Sequence, residues 1–186
     1  MLAPGDPGRA LRLAQALTEK PVMLNHARGL WGYTGTAADG LALTIQSTGL
    51  GGPSAAAVVG DLAALGAQRI VRVGTCTALD EALGLGALLA AGPVTAPDGE
   101  ELLPPLAAGL PAIALASTDL DDTPVLAGAR ARDLTSGGFL AAARAHGMEA
   151  GVVVLVARDA RGATLDDDAL HEAELALGGA ALRALA

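Results

Sequence analysis

The sequence predicts an α/β protein with a largely parallel or mixed central sheet covered by helices on both sides. Three observations carry this. Strand-like runs alternate with helical ones along the chain. Several of the strand-like runs, "RIVRVGT", "AIALAS" and "AGVVVLVA", are apolar at consecutive positions, as strands covered on both faces require. No compositional break divides the 186 residues, which read as a single domain over residues 1–186. Apolar residues make up 52% of the chain and aromatic residues only 2%, so the core has to be assembled from Ala, Leu and Val.

"MLA" is a strand stub, after which Asp6 reads as a helix N-cap and Pro7 as the first helical residue. Leu11, Ala14 and Leu17 follow at helical spacing. "RGLWGYTGTAADGLALTIQSTG" holds β-prone runs broken by Gly35 and Gly40, as in a hairpin. "GLGGPSAAAVVGDLAALGA" is a glycine turn feeding a helix, with Pro53 near its start, Val58, Val59, Leu62 and Leu65 as its apolar face and Gly66 as its stop. "RIVRVGT" is a strand ending at Gly74, "VTAPDGEELLPPLAAGLP" a proline-rich connection, and "AIALAS" a further strand. "SGGFLAAARAHGM" is a helix with His146 and Gly147 at its carboxyl end, "AGVVVLVA" a buried strand, and "LDDDALHEAELALGGAALRAL" a closing amphipathic helix.

The formal net charge of −8 argues against nucleic acid and against anionic membrane surfaces as partners, both of which select basic patches. Lys20 is the only lysine and eleven of the twelve basic residues are arginines, enough for a local cationic site. The single cysteine, Cys76, rules out an intramolecular disulfide, and the three histidines have no metal-ligand spacing. The first residues lack the basic and apolar regions of a secretory signal, and "ALGLGALLAAGPV" is too short and glycine-rich to span a membrane. A cytoplasmic protein without a metal or organic cofactor is the expectation.

Four stretches carry candidate chemistry. In "GDPGRA", Gly5 and Gly8 allow close backbone approach at a helix N-terminus, which favours an anion, and Arg9 adds a fork; the alternative is a capped helix with a solvated arginine. In "RIVRVGTCTALD", Arg72 lies inside an apolar strand and needs an anionic partner, either a ligand or a structural carboxylate. Thr75 offers a hydroxyl at the carboxyl end of that strand, where ligands of open α/β sheets sit. "HARGLWGYTG" sets Arg28 beside Trp31 and Tyr33, as a second phosphate fork or as an exposed arginine on a hairpin. Asp119 and Asp159 end apolar runs, either capping turns or acting in a site.

Taken in order, these stretches resemble the purine nucleoside phosphorylase and uridine phosphorylase family. "GDPGRA" is similar to its first phosphate loop, and "RGLWGYTGT" to the segment whose arginine reaches phosphate in a neighbouring subunit. "STGLGGPSAAAVVGDLAALGAQRIVRVGTCTAL" is similar to its central glycine turn and following strand, while "STDL" and residues 133–159 resemble its ribose- and base-binding half. The resemblance implies a three-layer α/β/α fold with a mixed, partly barrel-like sheet. It implies attack of inorganic phosphate, the co-substrate, on C1′ of a purine or pyrimidine nucleoside. By position, Gly5, Arg9, Arg28, Arg72 and Thr75 would hold phosphate; Thr48, Thr77, Leu134 and Thr135 would meet the nucleoside; Asp159 would protonate the leaving base. It further implies a homo-oligomer, a dimer or a trimer of dimers. The chain departs from the pattern in three places. Thr135 stands where the family has a glutamate on the ribose hydroxyls, Thr77 replaces a glycine, and the stretch from Ala90 to Ile113 is shortened. The alternative that these departures raise is a catalytically impaired member that binds phosphate or a phosphorylated small molecule.

Overall fold

The strand β5 (Arg69–Ala78) organises the molecule, because its two edges are used differently. This computed structural model describes residues 1–185 other than 121, 122 and 126. Along one edge β5 pairs in parallel with β10 (Glu149–Arg158) for most of its length. Along the other it takes two partners in succession. β1 (Leu2–Pro4) lies parallel beside Val71, Arg72 and Val73. β9 (Ala131–Asp133) then pairs antiparallel with Thr77 and Ala78. The sheet forks between these partners, and the fork leaves a cleft beside the carboxyl half of β5.

β6 (Leu88–Thr95) and β8 (Ala112–Ser117) join β10, β9 and β5 into a ring of strands that closes through the β5–β10 pair. On the other side of β1 the sheet continues through β4 (Ala42–Gln46) and β3 (Gly32–Thr36) to an edge at β2 (Glu19–Asn25). β7 (Glu101–Leu102) pairs only with β6. Parallel pairs at β4–β1–β5–β10 and at β6–β8–β9, with antiparallel pairs elsewhere, make the sheet mixed, as the sequence predicts.

Helices cover both faces. α2 (Gly52–Ala64) and α3 (Ser136–Ala145) lie on one, with Val59, Leu62, Phe139 and Leu140 in the core beneath them. α1 (Pro7–Leu17) and α4 (Asp167–Arg183) lie on the other, over Leu2, Val71, Val73 and Leu155. β10 shows why the apolar runs are continuous. Val152, Val154 and Val156 enter the first core while Val153 and Leu155 enter the second, so a side-chain period of two still leaves no polar position. The α2–α3 contact depends on glycine: a Cβ on Gly138 would sit 2.6 Å from the Cα of Gly52.

Some expectations change. β2 goes unpredicted because its apolar Val22, Met23 and Leu24 are consecutive and exposed, without alternation. β9 is only three residues long and is held by its neighbours rather than by propensity. Gly35 lies inside β3 rather than breaking it, and β5 runs four residues past Gly74. Leu65 caps α2 and is 84% exposed instead of joining its apolar face. Among the described residues, no helix is long and apolar enough to cross a membrane.

Candidate active site

The cleft at the fork is a cavity of about 650 Å³. Its first wall is the turn from β1 into α1. Asp6 caps α1 by accepting from the backbone N–H of Arg9, with Pro7 as first helical residue. The chain is pinned there by Gly49 N–H donating to the Gly5 carbonyl at 3.0 Å, and a Cβ on Gly5 would meet the Gly49 oxygen at 3.2 Å.

Arg9 is buried, which the capped-helix alternative does not foresee. Its Nε donates to Oε1 of Glu174 at 2.8 Å and its Nη1 to the carbonyl of Val73 at 3.2 Å. Glu174 lies on α4 with 1% of its surface exposed, and its other oxygen accepts from Arg12. Two guanidiniums on one carboxylate compensate the cost of burying it. Nη2 of Arg9 has no hydrogen-bond partner among the described residues.

Arg72 is anchored in the same manner from the other side. Its Nη2 and Nε donate to Oδ2 of Asp133 at 2.8 and 3.2 Å, and its Nε also to Oγ of Ser136 at 3.0 Å. The Ser136 hydroxyl donates to the same carboxylate, and the N–H groups of Thr135 and Ser136 point to Asp133 Oδ1 at 3.3 and 3.1 Å. Asp133 thus satisfies the first free N–H groups of α3 while holding Arg72, and the positive end of the helix favours its charge. Gly74 is glycine because the guanidinium lies over it: a Cβ there would be 2.5 Å from Arg72 Nη2. Nη1 of Arg72 has no hydrogen bond among the described residues.

Gly5, Arg9, Arg72, Thr75, Thr77, Leu134 and Thr135 all line this one cavity, though they come from three separate stretches of chain. Thr135 is buried and Leu134 half-buried beside it. Three predicted residues are not in the lining. Arg28 is exposed in a short turn after β2, in a left-handed conformation with φ of 55°. Thr48 is buried behind Gly49, where its backbone N–H donates to the Pro4 carbonyl at 2.8 Å. Asp159 closes the turn after β10, its Oδ1 accepting from the N–H groups of Arg161 and Ala163 at 2.9 and 2.8 Å. Asp119 is exposed beyond the end of β8.

Cys76 also lines the cavity, but burial, reinforced by Asp133 and opposed by Arg72, pushes its thiol up to about 12. It stays protonated near neutral pH and is no nucleophile. Among the described residues no group of three His, Cys, Asp or Glu side chains could hold a metal ion.

The sequence reading missed the two carboxylates that anchor the arginines. Glu174 had a signal: it is a lone acid four residues after Leu170 and three before Leu177, on the apolar face of its helix. The reading also missed Arg132 and Arg158, which line the cavity with Thr164 and Leu165. Both stand in an Ala-Arg-Asp triplet at a strand end, at residues 131–133 and 157–159.

Residues 1–92 match the family model described as the phosphorylase superfamily. The chain is 40% identical over 82 residues to a DeoD-type purine nucleoside phosphorylase of Oceanobacillus iheyensis, a match covering 44% of this chain and 34% of that protein. A DeoD-type purine nucleoside phosphorylase of Clostridium perfringens is 42% identical over the same length and coverage. The sequence match thus spans about a third of each relative's length. In three dimensions the likeness is wider. A uridine phosphorylase of Vibrio fischeri, solved with 6-hydroxy-1-naphthoic acid, superposes with a TM-score of 0.87 over 99% of this chain and 89% of that one, at 20% identity. A second structure of the Vibrio fischeri uridine phosphorylase superposes with a TM-score of 0.84.

Proposed function

We propose that the chain, whose residues 1–92 match the phosphorylase superfamily, splits a purine or pyrimidine nucleoside with inorganic phosphate, giving the free base and ribose 1-phosphate. The observation that carries this reading is the pair Arg9 and Arg72. Each is held on one side by a buried carboxylate, each keeps one Nη unpaired, and both open into one cavity beside Gly5 and Thr75.

Phosphate is the nucleophile, so no serine or cysteine is needed. The anchoring of the two guanidiniums removes most of the conformational cost of holding them in place. They clamp the phosphate oxygens, joined by the Thr75 hydroxyl and the Gly5 backbone at the turn into α1. One phosphate oxygen then forms a bond to C1′ as the bond from C1′ to the base nitrogen breaks. The bonding pair leaves with the base, and positive charge builds on the ribose ring in passing. The base takes up a proton; Asp159 is the acid in this reading, acting through Oδ2, since Oδ1 is committed to its turn. Thr77, Leu134 and Thr135 form the nucleoside side, with Thr48 buried behind Gly49. Thr135 gives the ribose one hydroxyl where a carboxylate would give two acceptors.

Arg28 enters the reading as a contribution to a second copy's cavity in a homo-oligomer, a dimer or an assembly of dimers. Its turn follows the sheet-edge strand β2, whose Val22 and Leu24 are 59% and 61% exposed, an apolar edge that a second copy would cover. No cofactor has a step in this chemistry.

The test is release of free base from inosine and from uridine by the purified protein, with and without inorganic phosphate. Release that requires phosphate is the expected result. No release from either nucleoside, or release indifferent to phosphate, would overturn the reading.

A further inference from the structure

Arg132 and Arg158 have no part in the reaction just described, yet both face its cavity. Their placement follows from register. Thr77 of β5 is paired with Arg132 of β9 on one side and with Arg158 of β10 on the other. The second pairing depends on a bulge: Val156 is opposite Cys76, Ala157 is the extra residue, and Arg158 moves into line with Thr77. Residues directly opposite each other share a face of the sheet. The three side chains therefore form a row, arginine–threonine–arginine, with the two arginine Cα atoms roughly 10 Å apart, two strand spacings. The row lies two residues, or roughly 7 Å, along β5 from Thr75.

The charges in this row are not balanced as those of Arg9 and Arg72 are. Among the described residues neither Arg132 nor Arg158 has an ion-pair partner, and Nε of Arg132 is fully buried with no hydrogen bond at all. A buried guanidinium nitrogen left unpaired costs free energy that none of the described residues returns. At the same end of the cavity Thr135 contributes a hydroxyl rather than a carboxylate, and the two carboxylates of the lining, Asp6 and Asp133, are engaged in capping α1 and in holding Arg72.

We infer that the row binds an oxyanion carried by the nucleoside itself, in addition to the inorganic phosphate: a carboxylate on the base or a phosphoryl group on the ribose. The inference rests on the reading of the cavity as a nucleoside phosphorylase site and names its substrate class. The two guanidiniums approach the anion from either side and the Thr77 hydroxyl donates from between them.

The experiment is calorimetric titration of the whole protein, in saturating inorganic phosphate, with uridine, orotidine and uridine 5′-monophosphate. Orotidine carries the charge on the base and the monophosphate carries it on the ribose, so the two arms separate the sources. At least one of them binds roughly 10- to 100-fold more tightly than uridine, the range of one or two charge-assisted hydrogen bonds. Arg132→Met brings that ratio to within about threefold of unity, whereas Arg161→Met, outside the cavity, leaves it unchanged. Thermal melting without ligand confirms that Arg132→Met folds, and its midpoint is equal to or above that of the parent, since an unpaired buried charge has been removed. The inference is overturned if neither anionic nucleoside outbinds uridine. It is equally overturned if the preference survives Arg132→Met but disappears in Arg9→Met, which would seat the anion at the phosphate end. Binding is read rather than turnover, so a failure of phosphorolysis leaves this result separately legible.

Discussion

The two ends of the cavity treat the same side chain in opposite ways. At the phosphate end, Arg9 and Arg72 are buried, each fixed by a carboxylate that is itself almost wholly covered. At the nucleoside end, Arg132 and Arg158 have no such partner among the described residues. The difference teaches what an anchor does. A carboxylate behind a guanidinium stabilises the fold and sets the geometry, and it also cancels charge, so the phosphate end relies on directed N–H groups more than on net potential. The nucleoside end keeps its charge and leaves the balancing anion to the ligand.

Four substitutions sharpen or break this contrast. The largest effect is expected from Arg72→Met, which strands the buried Asp133 carboxylate without its cation. Chemical denaturation should show a loss of about 3–5 kcal/mol, and a loss below about 1 kcal/mol would mean that the pair anchors nothing. Glu174→Gln removes the common partner of Arg9 and Arg12. The cost by the same measurement should be smaller, about 1–3 kcal/mol, since Arg12 is partly solvated and an amide oxygen keeps one acceptor.

Thr135→Glu restores an acid to the nucleoside end. Phosphorolysis of neutral nucleosides should rise in kcat/KM by roughly 10-fold or more through a charged grip on the ribose hydroxyls. A fall would mean that the carboxylate pairs with the arginine row instead of with ribose. Near neutral pH the smallest effect belongs to Cys76, whose thiol is held up at about 12 against an ordinary 9.0. The folded state keeps this proton longer than the unfolded state. The corresponding stability is therefore complete below pH 9 and declines as pH rises toward 12, at up to about 1.4 kcal/mol per pH unit. Cys76→Ala lacks that decline, so the stability difference between the two proteins should shift in favour of the variant above pH 9.

The legible parts of the fold and site were those written in one local stretch. The helix cap at Asp6 and Pro7, the strand bearing Arg72 and Thr75, and the doubly buried β10 follow from spacing and residue type alone. What stayed hidden depends on distant pairing. Glu174 meets Arg9 across 165 positions and Asp133 meets Arg72 across 61, and neither partner is announced by its neighbours. Arg132 and Arg158 flank Thr77 only after three strands come into register, one of them through a bulge at Ala157. β2 and β9 escaped for a related reason: one exposes its apolar residues to the edge of the sheet, and the other is too short for any periodicity.

Titration calorimetry with inorganic phosphate tests the central claim most directly, that the anchored pair Arg9 and Arg72 forms a phosphate site. Saturable binding is expected for the parent protein, weakened roughly 10-fold or more in Arg9→Met and unchanged in Arg161→Met. Absence of binding in the parent, or equal binding in Arg9→Met, would contradict the account.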